Sequence, residues 1–482
     1  MRGKRIIILA AATMATMATM MLSGCGGKEK SVLNPDNPVT ITVWNYYSGA
    51  QQETFDSLVD EFNQTVGKEK GIIVKASSKG SVSDLETHVL AAAEQQVGAE
   101  EVPNIFAAYA DTAYEIDKRD ILEDLSSYLT EEELAEYVED YMKEADLGGD
   151  GSLKIFPVAK ATEVYMLNKT DWDKFAKATG ATMDELATIE GVTSVAEKYY
   201  EWTDGLTDEP NDGKAFFGRD AVANYMLIGA KQLGVDIFEV DEEGKVTVNL
   251  PEDAARKLWD NYYIPYINGY FATGGRFRSD DIKTGTIVSF VGSSSGASFF
   301  PSEVIVSDDE SYAIETAVME APKFEGGADV AVQQGAGMVV TKGDASEVTA
   351  SVEFLKWFTD VERNIQFSAG SGYLPVKKDA NDAEAIKEVS DGSKKIMDTI
   401  SVSVKTVKEN ELYTIPAFDH AVNVRNILEY SMSDKAEADR AAVLVAMEEG
   451  VSREDAVAVY ETEENFQNWY QGMLDELKAE LQ

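Results

Sequence analysis

The spacing of apolar positions changes several times along the first part of the chain. Residues 38–44 alternate apolar and polar side chains, as a half-buried β-strand does, whereas residues 51–66 repeat apolar side chains at helical spacing. Residues 72–76 and 102–108 are again strand-like, and residues 83–96 are again helix-like. Strands separated by helices need crossover connections, so this region predicts an α/β fold with a mainly parallel sheet.

The loops that follow these strands carry aromatic and polar residues. Ligands of such sheets bind at the carboxyl ends of the strands, which fall here near residues 44–48, 80–83 and 109–111. Aromatic rings can lie against the C–H face of a sugar, and carboxylates can accept hydrogen bonds from its hydroxyls. The candidate binding residues from this rule are Trp44, Tyr46 and Asp111.

A second strand–helix unit spans residues 333–376. Its residues 335–340 read as a small-residue turn and a short apolar run, which predicts a buried strand. Asp344, with a glutamate three residues later, matches a capping box, and the apolar positions of residues 348–365 predict one amphipathic helix after it. Pro375 disfavours helical geometry in the residue before it, so the unit is expected to end in an extended crossing.

Length and charge limit the classes of protein that fit. A chain of 482 residues is too long for one small core, so two domains are expected. The formal charge of −43 repels nucleic acid and anionic lipid headgroups, and we expect neither as a partner. With two histidines and one cysteine in the sequence, we expect no metal site and no cofactor.

The N-terminus carries a targeting pattern. Arg2, Lys4 and Arg5 precede an apolar run that ends in Leu22-Ser23-Gly24-Cys25. This pattern resembles a bacterial lipoprotein signal, in which residues 1–24 are removed and Cys25 is lipidated. A plain secretory signal or a membrane anchor are the alternatives, but the run is short for a span. Residues 25–37 are expected to form a flexible tether.

Further motifs follow one another in an order that is typical of one family. They are the strand ending in Trp44, Phe156-Pro157 followed by Met166-Leu167-Asn168-Lys169, Gly285 followed by Ser294-Ser295-Gly296, GAGMVV of residues 335–340, GYLPV of residues 372–376, and the late segment of residues 450–457. Taken together, residues 38–482 resemble the extracellular solute-binding proteins (family 1) of carbohydrate-type ABC importers.

The resemblance implies a two-lobed fold of the periplasmic-binding-protein type II class, with a mainly parallel sheet flanked by helices in each lobe and the ligand cleft between the lobes. It implies that residues 38–160 and 312–373 form lobe 1, and that residues 161–311 and 374–482 form lobe 2. The chain would cross between the lobes near residues 157–162, 302–320 and 373–377.

Within this family, the chain most resembles the branch that binds glycerol 3-phosphate or a sugar. The resemblance implies ligand contacts from four places, namely Ser295 (or Ser294), Gly335, Tyr373 and Arg425. The ligand positions of the first lobe differ from those of that branch. This chain has Val82, Lys160 and Ala161 where the members of the branch have other residues. A guanidinium can bond two oxygens of a diol, carboxylate or phosphate, so Arg425 suits either a sugar or a sugar phosphate.

The resemblance implies a protein without enzymatic activity. It would be a lipid-anchored, extracytoplasmic and monomeric protein that captures a sugar, an oligosaccharide or a sugar-phosphate-like solute by closure of the lobes. The closed form would then dock on ABC permease subunits in the membrane. A sensor lipoprotein that presents the same solute to a receptor is a further possibility that the sequence leaves open.

A secreted serine esterase is the alternative function. Gly292-x-Ser294-x-Gly296 follows a predicted strand and matches the nucleophile elbow of serine hydrolases, and His420 lies downstream. The pentapeptide consists only of glycine and serine, and no His-Gly-Gly oxyanion motif accompanies it. A glycosidase needs a defined pair of carboxylates, and nothing in the sequence singles out such a pair.

Overall fold

The computed structural model describes residues 32–241, 244–389 and 393–482. The predicted signal peptide of residues 1–24 and the predicted lipidation site, Cys25, lie outside the described residues. The strands are β1 Val39–Asn45, β2 Ile72–Ser78, β3 Ile105–Ala108, β4 Glu163–Asn168, β5 Phe217–Arg219, β6 Phe238–Val240, β7 Val246–Val248, β8 Ser289–Ser293, β9 Glu303–Ser307, β10 Glu310–Ala313, β11 Thr316–Glu320, β12 Val330–Val332, β13 Gly337–Val340 and β14 Glu411–Tyr413.

The helices alternate with these strands and form the outer layers. They are α1 Ala50–Gln64, α2 Val66–Lys70, α3 Val82–Ala93, α4 Ala110–Asp117, α5 Glu131–Ala135, α6 Glu139–Lys143, α7 Lys169–Thr179, α8 Ile189–Asp204, α9 Val222–Gln232, α10 Glu252–Asp260, α11 Tyr263–Ile267, α12 Arg278–Thr284, α13 Ala345–Phe358, α14 Val361–Ser371, α15 Ala383–Val389, α16 Lys394–Glu409, α17 Ala421–Glu448, α18 Arg453–Ala458 and α19 Glu463–Glu480. Short 3₁₀ helices occur at Leu125–Tyr128, Met183–Ala187 and Ser294–Phe299.

The first sheet has the strand order β13-β3-β1-β2. β1 pairs in parallel with β2 and with β3, and β13 runs antiparallel to β3. The apolar face of α1 closes this core, where Phe55 and Phe62 both lie edge-on to Phe354 of α13. The strand–helix alternation in the sequence therefore predicts this sheet correctly, including its mainly parallel character.

The second sheet corrects the prediction of mainly parallel strands in both lobes. Its order is β11-β4-β8-β5, and only the β5–β8 pair is parallel. β4 runs antiparallel to both of its neighbours, β8 and β11. Every residue of β4 is buried, so its sequence is continuously apolar or internally bonded. A strand covered on both faces looks the same in sequence whichever way its neighbours run.

The single helix predicted for residues 348–365 is wrong, because the chain breaks between α13 and α14. The Thr359 hydroxyl donates to the carbonyl of Leu355 and lies 2.8 Å from the hydroxyl of Tyr137. Asp360 then takes extended backbone angles and begins α14. The break directs Phe358 and Phe367 into one core, with ring centroids 5.2 Å apart. The predicted capping box is present, since the Asp344 N–H donates to the Glu347 carboxylate.

Packing moves the predicted lobe boundaries. β11 pairs with β4, so residues 316–320 lie in the second sheet, although the family resemblance implies that residues 312–373 belong to lobe 1. The N–H of Lys378 donates to the carbonyl of Glu136, so the chain still lies on lobe 1 after residue 373. Leu33 is buried in the first core, so the tether ends before it. We propose that lobe 1 comprises residues 33–160 and 335–378, and that lobe 2 comprises residues 162–333 and 394–482.

Two strand-like crossings run side by side where the lobes meet. Ala161 and Gln334 exchange backbone hydrogen bonds of 2.9 Å, and the Lys160 N–H donates to the carbonyl of Leu374. Gly335 has a φ of 90°, and a Cβ at this position would lie 2.8 Å from the carbonyl oxygen of Ala159. Only glycine allows such a close approach of the two crossings in this conformation.

Candidate functional site

A cavity of about 300 Å³ lies between the two cores, next to these crossings. Its first wall belongs to lobe 1 and is formed by the start of α3 and the start of α4. Its second wall belongs to lobe 2 and is formed by α9, α17 and the chain after β14. The crossing residues Gln333 and Gln334 lie between the walls. A pocket of this size at an interface between lobes is a typical ligand site.

Two carboxylates stand on the lobe 1 wall. The start of α3 is fixed by Ser81, whose side chain accepts from the N–H of Asp84, and Glu86 follows within the next turn. Asp111 lies in the first turn of α4, directly after β3. Thr112 joins them, because its hydroxyl donates to Glu86 at 3.0 Å and its N–H donates to Asp111 at 2.7 Å.

The surroundings of these two carboxylates raise their pKa values. Burial raises the pKa of Glu86, against the bond from Thr112, and the negative charge of Asp111 raises it further. Burial also raises the pKa of Asp111, against the Thr112 N–H and the positive charge of Arg425. Both groups therefore hold a proton more readily than exposed carboxyls do, since desolvation disfavours the charged form.

Arg425 stands on the lobe 2 wall and is held by a chain of hydrogen bonds. Its guanidinium donates to the Asn224 side-chain oxygen at 2.8 Å, and the Asn224 amide donates to Glu163 at 2.8 Å. Glu163 in turn forms a buried ion pair with Arg219 at 2.5 Å. No carboxylate of the described residues lies within 4 Å of the Arg425 guanidinium. The guanidinium is therefore positioned and remains available to a ligand.

The crossing residues connect the cavity to a buried ion pair. The Gln333 amide lines the cavity and donates to the Glu144 carboxylate at 2.5 Å. Glu144 pairs with the ammonium group of Lys160, which also donates to the carbonyl of Gly335 at 2.9 Å. Lys160 and Glu144 are 1% and 5% exposed. The position of the crossings thus depends on a charged contact that water does not reach.

Of the eight predicted ligand residues, the structure places Asp111 and Arg425 in the wall of the cavity. Trp44 is 5% exposed and packs in the core of lobe 1, with the Lys79 ammonium 4.1 Å above its ring. The Tyr46 hydroxyl lies 3.3 Å from that of Tyr373, within a cluster of aromatic rings behind the cavity.

The remaining predicted residues lie near the crossings, outside the cavity wall. Ser294 is fully buried, and its N–H donates to the carbonyl of Thr162 at 2.8 Å. The Ser295 carbonyl accepts from Gln51 of α1 at 3.0 Å, which links the two lobes. The Gly335 carbonyl is occupied by Lys160. Ligand binding by these three residues stays a prediction.

The geometry expected of a serine hydrolase does not form at Ser294. Its hydroxyl faces the N–H of Thr162 at 3.4 Å, and Ser294 begins a 3₁₀ helix after β8. His420 instead lies 3.0 Å from Glu480 on the exposed side of α17, and His88 packs against Trp44. Neither histidine supplies Ser294 with the hydrogen-bonded base that a nucleophilic serine requires.

Neither a candidate metal centre nor a candidate membrane-spanning helix occurs in the part of the chain that the structure describes. No group of three or more histidine, cysteine, aspartate or glutamate side chains is arranged to hold a metal ion there. Within the same residues, no helix combines the length and the apolar character needed to cross a membrane.

Several cavity residues are absent from the sequence-based candidates. Glu86 lies one helical turn beyond residues 80–83, which is the loop that the strand-end rule predicts as a ligand site. Asn224 and Gln333 carry no local signal, because each acquires its role from a partner far along the chain. Tyr109 and Asp111 both line the cavity, as the strand-end position of residues 109–111 predicts.

Comparisons with known proteins agree with this arrangement. A sequence model of the family described as bacterial extracellular solute-binding protein matches residues 57–393. A search of curated proteins found no match. Among solved structures, the cyclic alpha-maltosyl-1,6-maltose binding protein from Arthrobacter globiformis has a TM-score of 0.65 at 17% identity, covering 92% of this chain and 99% of that one.

Two other solved structures are similar over the same length. UgpB from Mycobacterium tuberculosis, in complex with glycerophosphocholine, has a TM-score of 0.65 at 16% identity and covers 92% of this chain and 100% of its own. The GacH receptor of Streptomyces glaucescens GLA.O, solved unliganded and with acarbose, has a TM-score of 0.64 at 15% identity, covering 90% and 98%. These likenesses confirm the predicted two-lobed α/β fold.

Proposed function

Since the chain belongs to the bacterial extracellular solute-binding proteins, we propose that it is the solute-binding component of an ABC importer and that it takes a sugar or oligosaccharide, or a sugar-phosphate-like solute, into the cavity between its lobes. The observation that supports this most directly is the cavity itself. It is lined by Glu86 and Asp111 from one lobe and by Arg425 from the other, with Gln333 and Gln334 of the crossing between them.

A ligand in this position contacts both lobes at once. It therefore binds the closed arrangement more tightly than an open one, and this difference in affinity is what shifts the population towards closure. The closed form would then be recognised by permease subunits in the membrane. Transport energy would come from a separate ATPase, because the sequence has no Gly-x4-Gly-Lys-Ser/Thr phosphate loop.

The composition of the walls supports a polyhydroxylated ligand. Glu86, Asp111 and Gln333 offer acceptors and donors, and the rings of Tyr109 and Tyr413 offer flat apolar faces; all of them line the cavity. Structural neighbours with the same fold include a protein named for binding cyclic alpha-maltosyl-1,6-maltose and a protein solved in complex with glycerophosphocholine. The cavity of about 300 Å³ is at the small end of ligand pockets, which favours a compact solute in this arrangement of the lobes.

The test of this function is a thermal-shift screen of the purified mature protein. The panel consists of mono-, di- and oligosaccharides, sugar phosphates and glycerol phosphates. A solute that binds only the native state is expected to raise the Tm, by an amount that grows with ligand concentration above the Kd. Nitrophenyl esters and glycosides serve as the enzymatic control, and product release that depends on Ser294 would contradict the binding function.

We also propose that Cys25 carries a lipid that tethers the protein to the outer face of the cell membrane. The supporting pattern is the lipobox-like Leu22-Ser23-Gly24-Cys25 after a basic and apolar leader. Expression in a bacterium fed with an alkyne-labelled fatty acid is expected to label the wild-type protein. Cys25→Ser should abolish both the label and the membrane fraction, and equal labelling of the two proteins would refute the tether.

A further inference from the structure

The two walls of the cavity carry opposite charges. Glu86 and Asp111 stand on the lobe 1 wall, and Arg425 stands on the lobe 2 wall. Among the described residues, none of these three side chains has an ion-pair partner within 4 Å. The other cavity-lining residues are neutral, so a ligand between the walls meets an anionic surface on one side and a cationic group on the other.

The lobe 1 wall has an excess of negative charge that neutral hydroxyls compensate poorly. Glu86 and Asp111 both bond to Thr112, which holds the two carboxylates next to each other. Glu144, farther behind this wall, is neutralised by Lys160, so it does not offset them. Two adjacent carboxylates face one guanidinium, so a ligand that brings its own positive charge to this wall is favoured.

The same wall presents an aromatic ring. Tyr109 caps the start of α4 next to Asp111 and lines the cavity. A protonated amine held near two carboxylates and an aromatic face gains charge-assisted hydrogen bonds together with a cation–π contact. A neutral hydroxyl in the same place can also donate to a carboxylate, but it brings no positive charge to balance the two carboxylates and makes no cation–π contact.

We propose that the cavity selects a compact polyhydroxylated solute that carries a protonated amine, with the amine against Glu86 and Asp111 and with hydroxyl or phosphate oxygens towards Arg425. An amino sugar or an amino sugar phosphate has this chemistry. The inference rests on the proposed solute-binding function and narrows its ligand class. Because the two charged ends contact different lobes, such a ligand would also hold the lobes closed.

Binding of an amine-bearing solute should weaken in acid. Burial raises the pKa of Glu86 and of Asp111, and the groups facing them are Arg425, Tyr109 and, behind the wall, Glu144. As the pH falls through these raised values, the two carboxyls become neutral and lose their attraction for an ammonium group. Arg425 stays charged throughout, so a neutral sugar should show a much flatter pH profile.

The experiment compares matched solutes by isothermal titration calorimetry with the mature protein. Each neutral hexose (glucose, galactose, mannose) is paired with its 2-amino and its N-acetylated derivative, and glucose 6-phosphate is paired with glucosamine 6-phosphate. We expect the amine to bind at least tenfold more tightly than both its hydroxyl and its N-acetyl partner at pH 7.5. The preference should shrink towards pH 5.

Variants of Glu86 and Asp111 test whether these two carboxylates cause the preference for the amine. Glu86→Gln and Asp111→Asn should each reduce the preference for the amine by about tenfold, measured within each variant as the Kd of the neutral sugar divided by the Kd of its amine partner. Glu69→Gln removes an exposed glutamate elsewhere on lobe 1 and should change nothing. Tight binding of a neutral sugar without preference for the amine would overturn this inference and leave the proposed function intact. Binding of no solute in the panel would count against both.

Discussion

Replacing Lys160 with methionine is expected to lower the free energy of unfolding by about 3–5 kcal/mol, because it leaves the buried carboxylate of Glu144 without its counter-ion. Methionine replaces the aliphatic part of the lysine side chain and lacks only the ammonium group, so most of the loss reports the charge and its hydrogen bonds. Lys160 is 1% exposed, and its ammonium bonds to both Glu144 and the Gly335 carbonyl. Urea unfolding followed by circular dichroism measures the change.

A neighbouring ion pair provides the control. Lys143 pairs with Asp140 at 2.7 Å on the surface, where the lysine is 65% exposed. Lys143→Met should therefore cost no more than about 1 kcal/mol. In a double-mutant cycle, Lys160→Met with Glu144→Gln should cost about 1–3 kcal/mol less than the sum of the two single changes. Additive single and double variants would show that the buried pair is not coupled.

The contact between Lys160 and Glu144 also shows where sequence reasoning ends. Lys160 ends the first segment of lobe 1, Glu144 follows α6, and Gln333 and Gly335 lie almost two hundred residues later in the chain. Nothing in the local pattern of any of these segments indicates that they meet. A buried ion pair is created by tertiary structure, so it becomes visible only when the crossings are placed side by side.

The first lobe was more predictable than the second for a physical reason. In lobe 1 the strands β1, β2 and β3 are consecutive and each is separated by a helix, so local periodicity determines both element type and direction. In lobe 2 the strand β4 pairs with β8 and β11, which lie more than a hundred residues away. Periodicity identifies such a strand, but it does not determine the direction of its distant partners.

In the candidate site as well, the sequence predicts some residues correctly and leaves others to tertiary structure. The strand-end rule identified Asp111, and the family resemblance identified Arg425, and both line the cavity. The aromatic candidates Trp44 and Tyr46 satisfy the same rule but point into packed surroundings, because a strand end does not determine on which side of the sheet a ring lies. Their role in ligand binding stays a prediction.

Replacing Arg425 with alanine is expected to weaken binding of the solute found in the screen by roughly a hundredfold. Loss of one partner of a desolvated, charge-assisted contact costs about 2–5 kcal/mol. Arg425→Lys keeps the charge but loses the planar fork, so it should recover only part of this affinity. Calorimetry at several salt concentrations measures both variants, since a rim charge would show a strong salt dependence and a cavity charge a weak one.

A substitution at Asn224 separates two contributions of Arg425 to affinity, namely the position of its guanidinium and its positive charge. Asn224 accepts from Arg425 and donates to Glu163, so Asn224→Ala removes the link while keeping the cation in the cavity. We expect an intermediate loss of affinity, and the double variant with Arg425→Ala should be no worse than Arg425→Ala alone. Arg256→Gln, on α10 and paired with Glu463, is the matched control and should leave affinity unchanged.

If Arg425→Ala binds the solute as tightly as the wild type does, the guanidinium does not contact the solute. The lobe 2 wall must then recognise the solute through Asn426, Tyr413 and Thr414 instead.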